Sequence, residues 1–144
     1  MATSFPDRFR PLGLTLLRLA VGVVFLYHGL VKVNDFHQWT QNFTHMGFPG
    51  GVAYFIGPLE VVGGICLILG LFSRVFGLLL AGEMLIALIK VHIPSTRITH
   101  VPGLNPPMML SAMAFLIFCY GAGPVSLDRL RARRGKASKA AISS

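Results

Sequence analysis

Gly57-Pro58-Leu59-Glu60-Val61-Val62-Gly63-Gly64 decides how the rest of the chain is read. One carboxylate and two adjacent glycines lie here inside an apolar run over residues 52–72. A run of that length can cross the ~30 Å hydrocarbon core of a bilayer, where an acid without a partner is costly. Glycines one turn beyond the acid let a second helix approach closely. The stretch describes a membrane helix that presents a buried acid and a packing surface together.

Composition agrees with that reading. Hydrophobic residues make up 53% of the 144-residue chain and charged residues 12%, about half the ~25% charged content of ordinary soluble domains. Mean hydropathy is +0.67. In lipid every backbone polar group must be satisfied internally, and such a chain does this with helices. Three more apolar runs, at residues 12–33, 75–93 and 107–120, complete an all-α fold, an antiparallel four-transmembrane-helix bundle. Residues 12–33 are too long for the apolar region of a signal peptide and lack a small-residue cleavage site, so they are a retained span. The chain divides into a polar N-terminal arm (1–11), a membrane domain (12–128) and a basic tail (129–144) whose end, 136–144, is expected to be disordered.

The connections are informative. In residues 34–51, Phe36, Trp39, Phe43 and Met46 recur at three- and four-residue steps. That spacing predicts a short amphipathic helix in the membrane interface, anchored by Trp39. Ser73-Arg74 is a very short turn, which makes the second and third spans antiparallel neighbours. Residues 94–107 are proline-rich and carry Arg97 and His100. The net charge of +8 is unevenly placed, with Arg8, Arg10, Arg74 and six tail cations on one side against Lys32, Lys90 and Arg97 on the other. This bias puts both termini in the cytoplasm. Basic residues beside a membrane also touch anionic lipid. No aromatics interleave with them, so nucleic acid is a poor partner. Cys66 and Cys119 read as small packing residues.

Several ionisable residues fall inside the spans. At 100° per residue, Arg18, Gly22, Phe25, Gly29 and Lys32 share one stripe of the first helix, with His28 at its edge. Phe76, Leu79, Glu83, Ala87 and Lys90 share a face of the third by the same count. Depths estimated at ~1.5 Å per residue put Glu60 and Glu83 near mid-membrane. Arg18 is then expected to reach Glu83, and Glu60 to meet Lys90 or His28. Gly22, Gly29, Gly63 and Gly64 are the expected helix-packing positions. All five histidines, His28, His37, His45, His92 and His100, lie toward the outer side, but none has metal-ligand spacing. Met108, Met109 and Met113 read as gap-filling core residues. Intramembrane ionisable groups point to a proton route, an ion path or a ligand counter-charge.

The matching segments Leu17-Arg18-Leu19-Ala20-Val21-Gly22, Phe25-Leu26-Tyr27-His28-Gly29-Leu30-Val31-Lys32, the Gly57–Gly64 stretch with Leu67-Ile68-Leu69-Gly70-Leu71, and Gly121-Ala122-Gly123-Pro124-Val125-Ser126-Leu127-Asp128 resemble the DoxX-like family of small four-helix membrane proteins. The resemblance runs over residues 14–128. It implies a bacterial or archaeal inner-membrane protein associated with thiosulfate:quinone oxidoreduction, terminal oxidases or assemblies that handle oxidative and thiol stress. Arg18, His28, Lys32, Glu60 and His92 carry over as the family's polar positions. Family members often have an acid at the start of the fourth helix, where this chain departs with Asn105-Pro106-Pro107.

On these grounds the expected function is a quinone-linked redox subunit. Glu60 with His28 would relay protons near a quinol headgroup, and Arg18, Lys32, Glu83, Lys90 and His92 would bind ligand or pair charges. No redox cofactor is encoded, so electrons would come from a bound quinone or a redox partner subunit. Competing readings are a non-enzymatic scaffold for soluble redox enzymes, and a small-solute or ion transporter; a homo-oligomer is compatible with each.

Overall fold

Helix α1, Arg10–Asn34, starts at a proline in its first turn and runs for 25 residues. The computed structural model of which it is part describes residues 9–93, 105–123 and 125–132. The residues α1 buries are Arg18, Val21, Gly22, Phe25, Gly29 and Lys32, one stripe at helical spacing. Asp35 ends α1 and caps α2, Phe36–His45, by accepting a 2.9 Å hydrogen bond from the Gln38 N–H. No residue of α2 is buried, and it is fixed mainly through rings: Phe36 stacks on Tyr54 with centroids 4.8 Å apart.

A 3-10 turn, Gly50–Val52, leads into α3, Ala53–Leu69. Gly70 takes the left-handed conformation at φ 70° and stops this helix, with its own N–H and that of Leu71 bonded back to Leu67 and Cys66 carbonyls. The connection to α4 therefore falls at 70–72, earlier than expected, and Ser73-Arg74 forms the first turn of α4, Ser73–Ala87. Phe72 sits at a positive φ of 49° in that turn, and Asp128 holds the strained link, accepting from Phe72 N–H at 3.0 Å and Ser73 N–H at 3.2 Å. Helix α4 continues as a π-helix, Leu88–His92. Helix α5 is Asn105–Tyr120, and a last helical turn follows at 127–132.

Packing partners fix the directions. Gly22 lies against Gly64 and Ile68, whereas Gly29 lies against Glu60 and Val61, so α1 and α3 are antiparallel. Gly77 lies against Ala114 and Phe118, and Ser111 Oγ donates to the Ala81 carbonyl at 3.1 Å, so α4 and α5 are antiparallel too. Between the pairs sits a core of Val21, Phe25, Leu67, Leu80, Ala81, Ala114 and Ile117. The outside is apolar as well: Leu16, Val23, Phe55, Leu85, Ile86 and Phe115 are among many exposed large side chains, while Arg18, Lys32 and Glu60 are buried. Charges inside and hydrocarbon outside invert the usual arrangement of a soluble domain.

The described residues are helical, without strands. Two helices, Arg10–Asn34 and Gly50–Leu69, are long and apolar enough to cross a membrane, and Pro106–Tyr120 is apolar but shorter. Two details differ from the sequence expectation. The inward line of α4 is Ser73, Gly77, Leu80 and Ala81, which leaves Leu79 47% exposed. Cys119 is exposed instead of packed inside, and Cys66 is half-buried. The N-terminal arm through residue 8, Arg97, His100 and the tail beyond residue 132 lie outside the described residues.

Candidate functional site

Lys32, near the end of α1, and Glu60, in the middle of α3, form a buried ion pair. Antiparallel packing brings them together: Gly29 admits the α3 backbone, and Gly57 leaves room for the Lys32 side-chain stem, whose Cβ would lie 3.3 Å from a Cβ added at that glycine. Glu60 is fully buried. The Lys32 ammonium also lies 5.1 Å from the centroid of the Trp39 ring, so α2 covers it with an aromatic face. From α4, Glu83 stands close enough to Glu60 and Lys32 to interact electrostatically with both. Glu60 Oε1 and Glu83 Oε2 are buried without a partner. Three ionisable groups from three helices thus converge on one point.

Beside them opens a cavity of about 350 Å³. Lys32, Glu83 and His28 supply its polar wall, and Phe25, Trp39, Phe43, Met84 and Leu110 much of its apolar lining. His28 Nδ1 lies 2.8 Å from the Val24 carbonyl oxygen, so in the neutral ring Nδ1 donates and Nε2 is left as an acceptor. Its ring meets Tyr27 edge-on at 5.9 Å. No group of three His, Cys, Asp or Glu suited to a metal occurs among the described residues.

The expected pairings are corrected by this geometry. Arg18 does not meet Glu83. Its guanidinium donates to the Ala122 carbonyl and to that of Val125 at 2.9 Å, with a longer contact of 3.5 Å to Ile68 O. It neutralises the carbonyl-rich ends of α3 and α5, at the opposite end of the molecule from the cavity. Glu60 meets Lys32, not Lys90 or His28. Lys90 is exposed, 5.5 Å from the Phe48 ring centroid. The His92 side chain lies outside the described atoms. Of the packing glycines, Gly22, Gly29 and Gly64 touch backbone across the α1–α3 contact, while Gly63 faces Leu80 and Phe76 side chains. Sequence reasoning read Trp39 as a lipid anchor and did not place Trp39, Phe43 or Met84 in a cavity. The 36, 39, 43, 46 spacing was the available signal, but it does not reveal what lies beneath.

Comparison with known proteins follows from the same segment. The DoxX family profile matches residues 13–93, which contain Arg18, Lys32, Glu60 and Glu83. The chain belongs to the DoxX family. One relative in that sense is a Bacillus subtilis (strain 168) protein named "Putative oxidoreductase CatD", 36% identical over 80 residues, or 56% of this chain and 60% of that protein. Another is an uncharacterized protein of Haemophilus influenzae (strain ATCC 51907 / DSM 11121 / KW20 / Rd), 33% identical over 126 residues, covering 85% of this chain and 92% of the relative. No solved structure matches. As a DoxX protein the chain is membrane-associated, with two helices apolar and long enough to span.

Proposed function

We propose that this DoxX-family protein crosses the plasma membrane as a four-span antiparallel bundle and serves as a quinone-linked redox subunit, or an accessory of a membrane oxidoreductase complex acting on sulfur, thiol or oxidative-stress chemistry. The observation that carries the reading is the meeting of Lys32, Glu60 and Glu83 at the wall of an apolar cavity covered by Trp39. Family membership and the oxidoreductase-named relative support it.

The residues suit a single quinone ring. At about 350 Å³ the cavity is at the small end of ligand pockets, roughly 300–1,000 Å³, so it takes one headgroup and leaves an isoprenoid tail to the surrounding lipid. Trp39 and Phe43 offer ring faces, and Glu83 Oε2 is a buried acceptor with no donor of its own. When bound, the quinone supplies the two-electron chemistry that no side chain here can. The protein supplies proton handling. One ammonium against two carboxyls leaves a negative charge too many for an apolar interior. Glu60 Oε1 and Glu83 Oε2, both buried without a partner, are the oxygens at which a proton arriving from a ligand would be accepted. Glu83 faces the cavity and is the group that meets a ligand hydroxyl. Glu60, fixed by Lys32, stands behind it, and His28 Nε2 offers an acceptor toward the outer side.

Trp39 is the chain's one tryptophan, so its fluorescence reports on the cavity alone. A short-chain quinone added to the detergent-solubilised protein is expected to quench it saturably. Glu83→Gln, which keeps shape but loses proton exchange, is expected to retain quenching and lose quinone-dependent turnover in membranes by at least about a hundredfold. Linear, non-saturating quenching identical to that of free tryptophan refutes the quinone site. Unchanged turnover in Glu83→Gln refutes the proton role.

A further inference from the structure

The end of the molecule remote from the cavity carries a second concavity, an open groove of about 700 Å³ between the starts of α1 and α4, the end of α5 and the last helical turn. We propose that this groove binds an anionic phospholipid, its phosphate between Arg74 and Arg129 and its acyl portion along Leu14, Val75 and Tyr120. This rests on the membrane placement of the chain and not on the quinone reading.

The groove has the two-part chemistry of a lipid. Leu14, Val75 and Tyr120 are apolar, and Val75 and Tyr120 are 55% and 65% exposed. They continue the outward hydrocarbon surface to the rim of the molecule. At that rim Arg74 and Arg129 both line the groove and both are exposed. Among the described residues neither has a carboxylate partner. The Arg74 guanidinium is held over the groove beside Gly121, where an added Cβ would meet its Nε at 3.2 Å. Asp128 is the one acid in the lining, and its two oxygens accept from the Phe72 and Ser73 N–H groups, so among the described residues it forms no ion pair with either arginine. Asp128 also closes the N-terminus of α4, so an incoming phosphate must use the guanidinium groups. The lining keeps a net charge of +1, and Arg131, 5.8 Å from the Phe72 ring centroid, adds another cation nearby. Planar guanidinium forks suit phosphate oxygens, and anionic lipid is the phosphate source at a membrane surface.

The test uses the full-length protein in detergent, with phosphatidylglycerol and phosphatidylcholine offered in equal amounts and bound lipid counted by native mass spectrometry. Retention of phosphatidylglycerol over phosphatidylcholine is expected, falling roughly fivefold for each of Arg74→Gln and Arg129→Gln and further in the double variant. Trp39 fluorescence and helical circular dichroism check the fold. Should the double variant not fold, the two single variants and the wild-type competition decide. Equal retention of both lipids, or unchanged selectivity in the variants, overturns the proposal. Displacement of phosphatidylglycerol by inorganic phosphate at equal concentration does so too, since it would mark a free-anion site.

Discussion

Lys32 illustrates what a single residue does here. Its ammonium answers the fully buried Glu60 and is covered by the Trp39 face, so removing it leaves a carboxylate in an apolar interior. Lys32→Met is expected to lower stability by about 3–5 kcal/mol, the usual cost of breaking one side of a buried pair, while Lys32→Met combined with Glu60→Gln costs less than the single change. Urea or mixed-micelle unfolding followed by circular dichroism measures both. A single variant within about 1 kcal/mol of wild type would mean that the pair does not hold the helices together. At this scale the sequence was half legible. The 100° count put Arg18 and Lys32 on one inward stripe, and both are buried. It could not say which acid each would meet, because partner choice depends on how far α1 slides along α3. Gly29 against Val61 sets that offset, and no spacing within one helix encodes it. Arg18 was harder still, since its partners are carbonyls of Ile68, Ala122 and Val125 rather than any charged side chain.

Helix α3 shows how an element is built to be approached from one side. A Cβ on Gly64 would lie 2.6 Å from the Leu26 nitrogen and 2.7 Å from the Gly22 oxygen, both backbone, so α1 and α3 would have to separate. On Gly63 the nearest atom is Leu80 Cδ1 at 3.0 Å, the end of a flexible side chain, and on Gly82 there is nothing within 4 Å. Alanine is worth up to about 1 kcal/mol over glycine in a helix. Gly64→Ala is therefore expected to lose about 1–3 kcal/mol through overpacking, Gly63→Ala to change little, and Gly82→Ala to gain up to ~1 kcal/mol. Thermal unfolding of the three variants in one detergent checks the order, and a Gly64→Ala as stable as Gly82→Ala would contradict the close α1–α3 contact. The helices themselves were readable, since apolar runs, Pro11 and the 36, 39, 43, 46 spacing fall within a few residues of the observed α1 to α5. The α3–α4 turn was misplaced because Gly70 and Phe72 adopt positive φ, a choice stabilised by Asp128 from the far end of the chain.

For the whole molecule, the two ends differ in charge, and the proposed orientation rests on that difference. Arg10, Arg74, Arg129 and Arg131 are exposed, and they lie at or beside the groove end. At the cavity end Lys32 is buried and paired, and among the described residues Lys90 is the exposed lysine there, accompanied by exposed Asp35. Exposed cations near the ends of short spans are what hold a segment in the cytoplasm, and a buried, neutralised lysine adds nothing to that count. Among the described residues the exposed cations thus gather at the groove end, which supports the proposed orientation with that end inside and α2 with the cavity outside. In a chain with Cys66 and Cys119 replaced by alanine, His45→Cys on α2 is expected to react with a membrane-impermeant maleimide in intact cells. Arg131→Cys is expected to react only after permeabilisation. The reverse pattern would invert the protein and move the lipid groove to the outer leaflet. Labelling of both sites from one side would break the four-span arrangement, because α1, α3, α4 and α5 could not then all cross. The same experiment bears on the redox reading: a cavity open on the outer half would exchange protons there, away from the basic rim that faces anionic lipid.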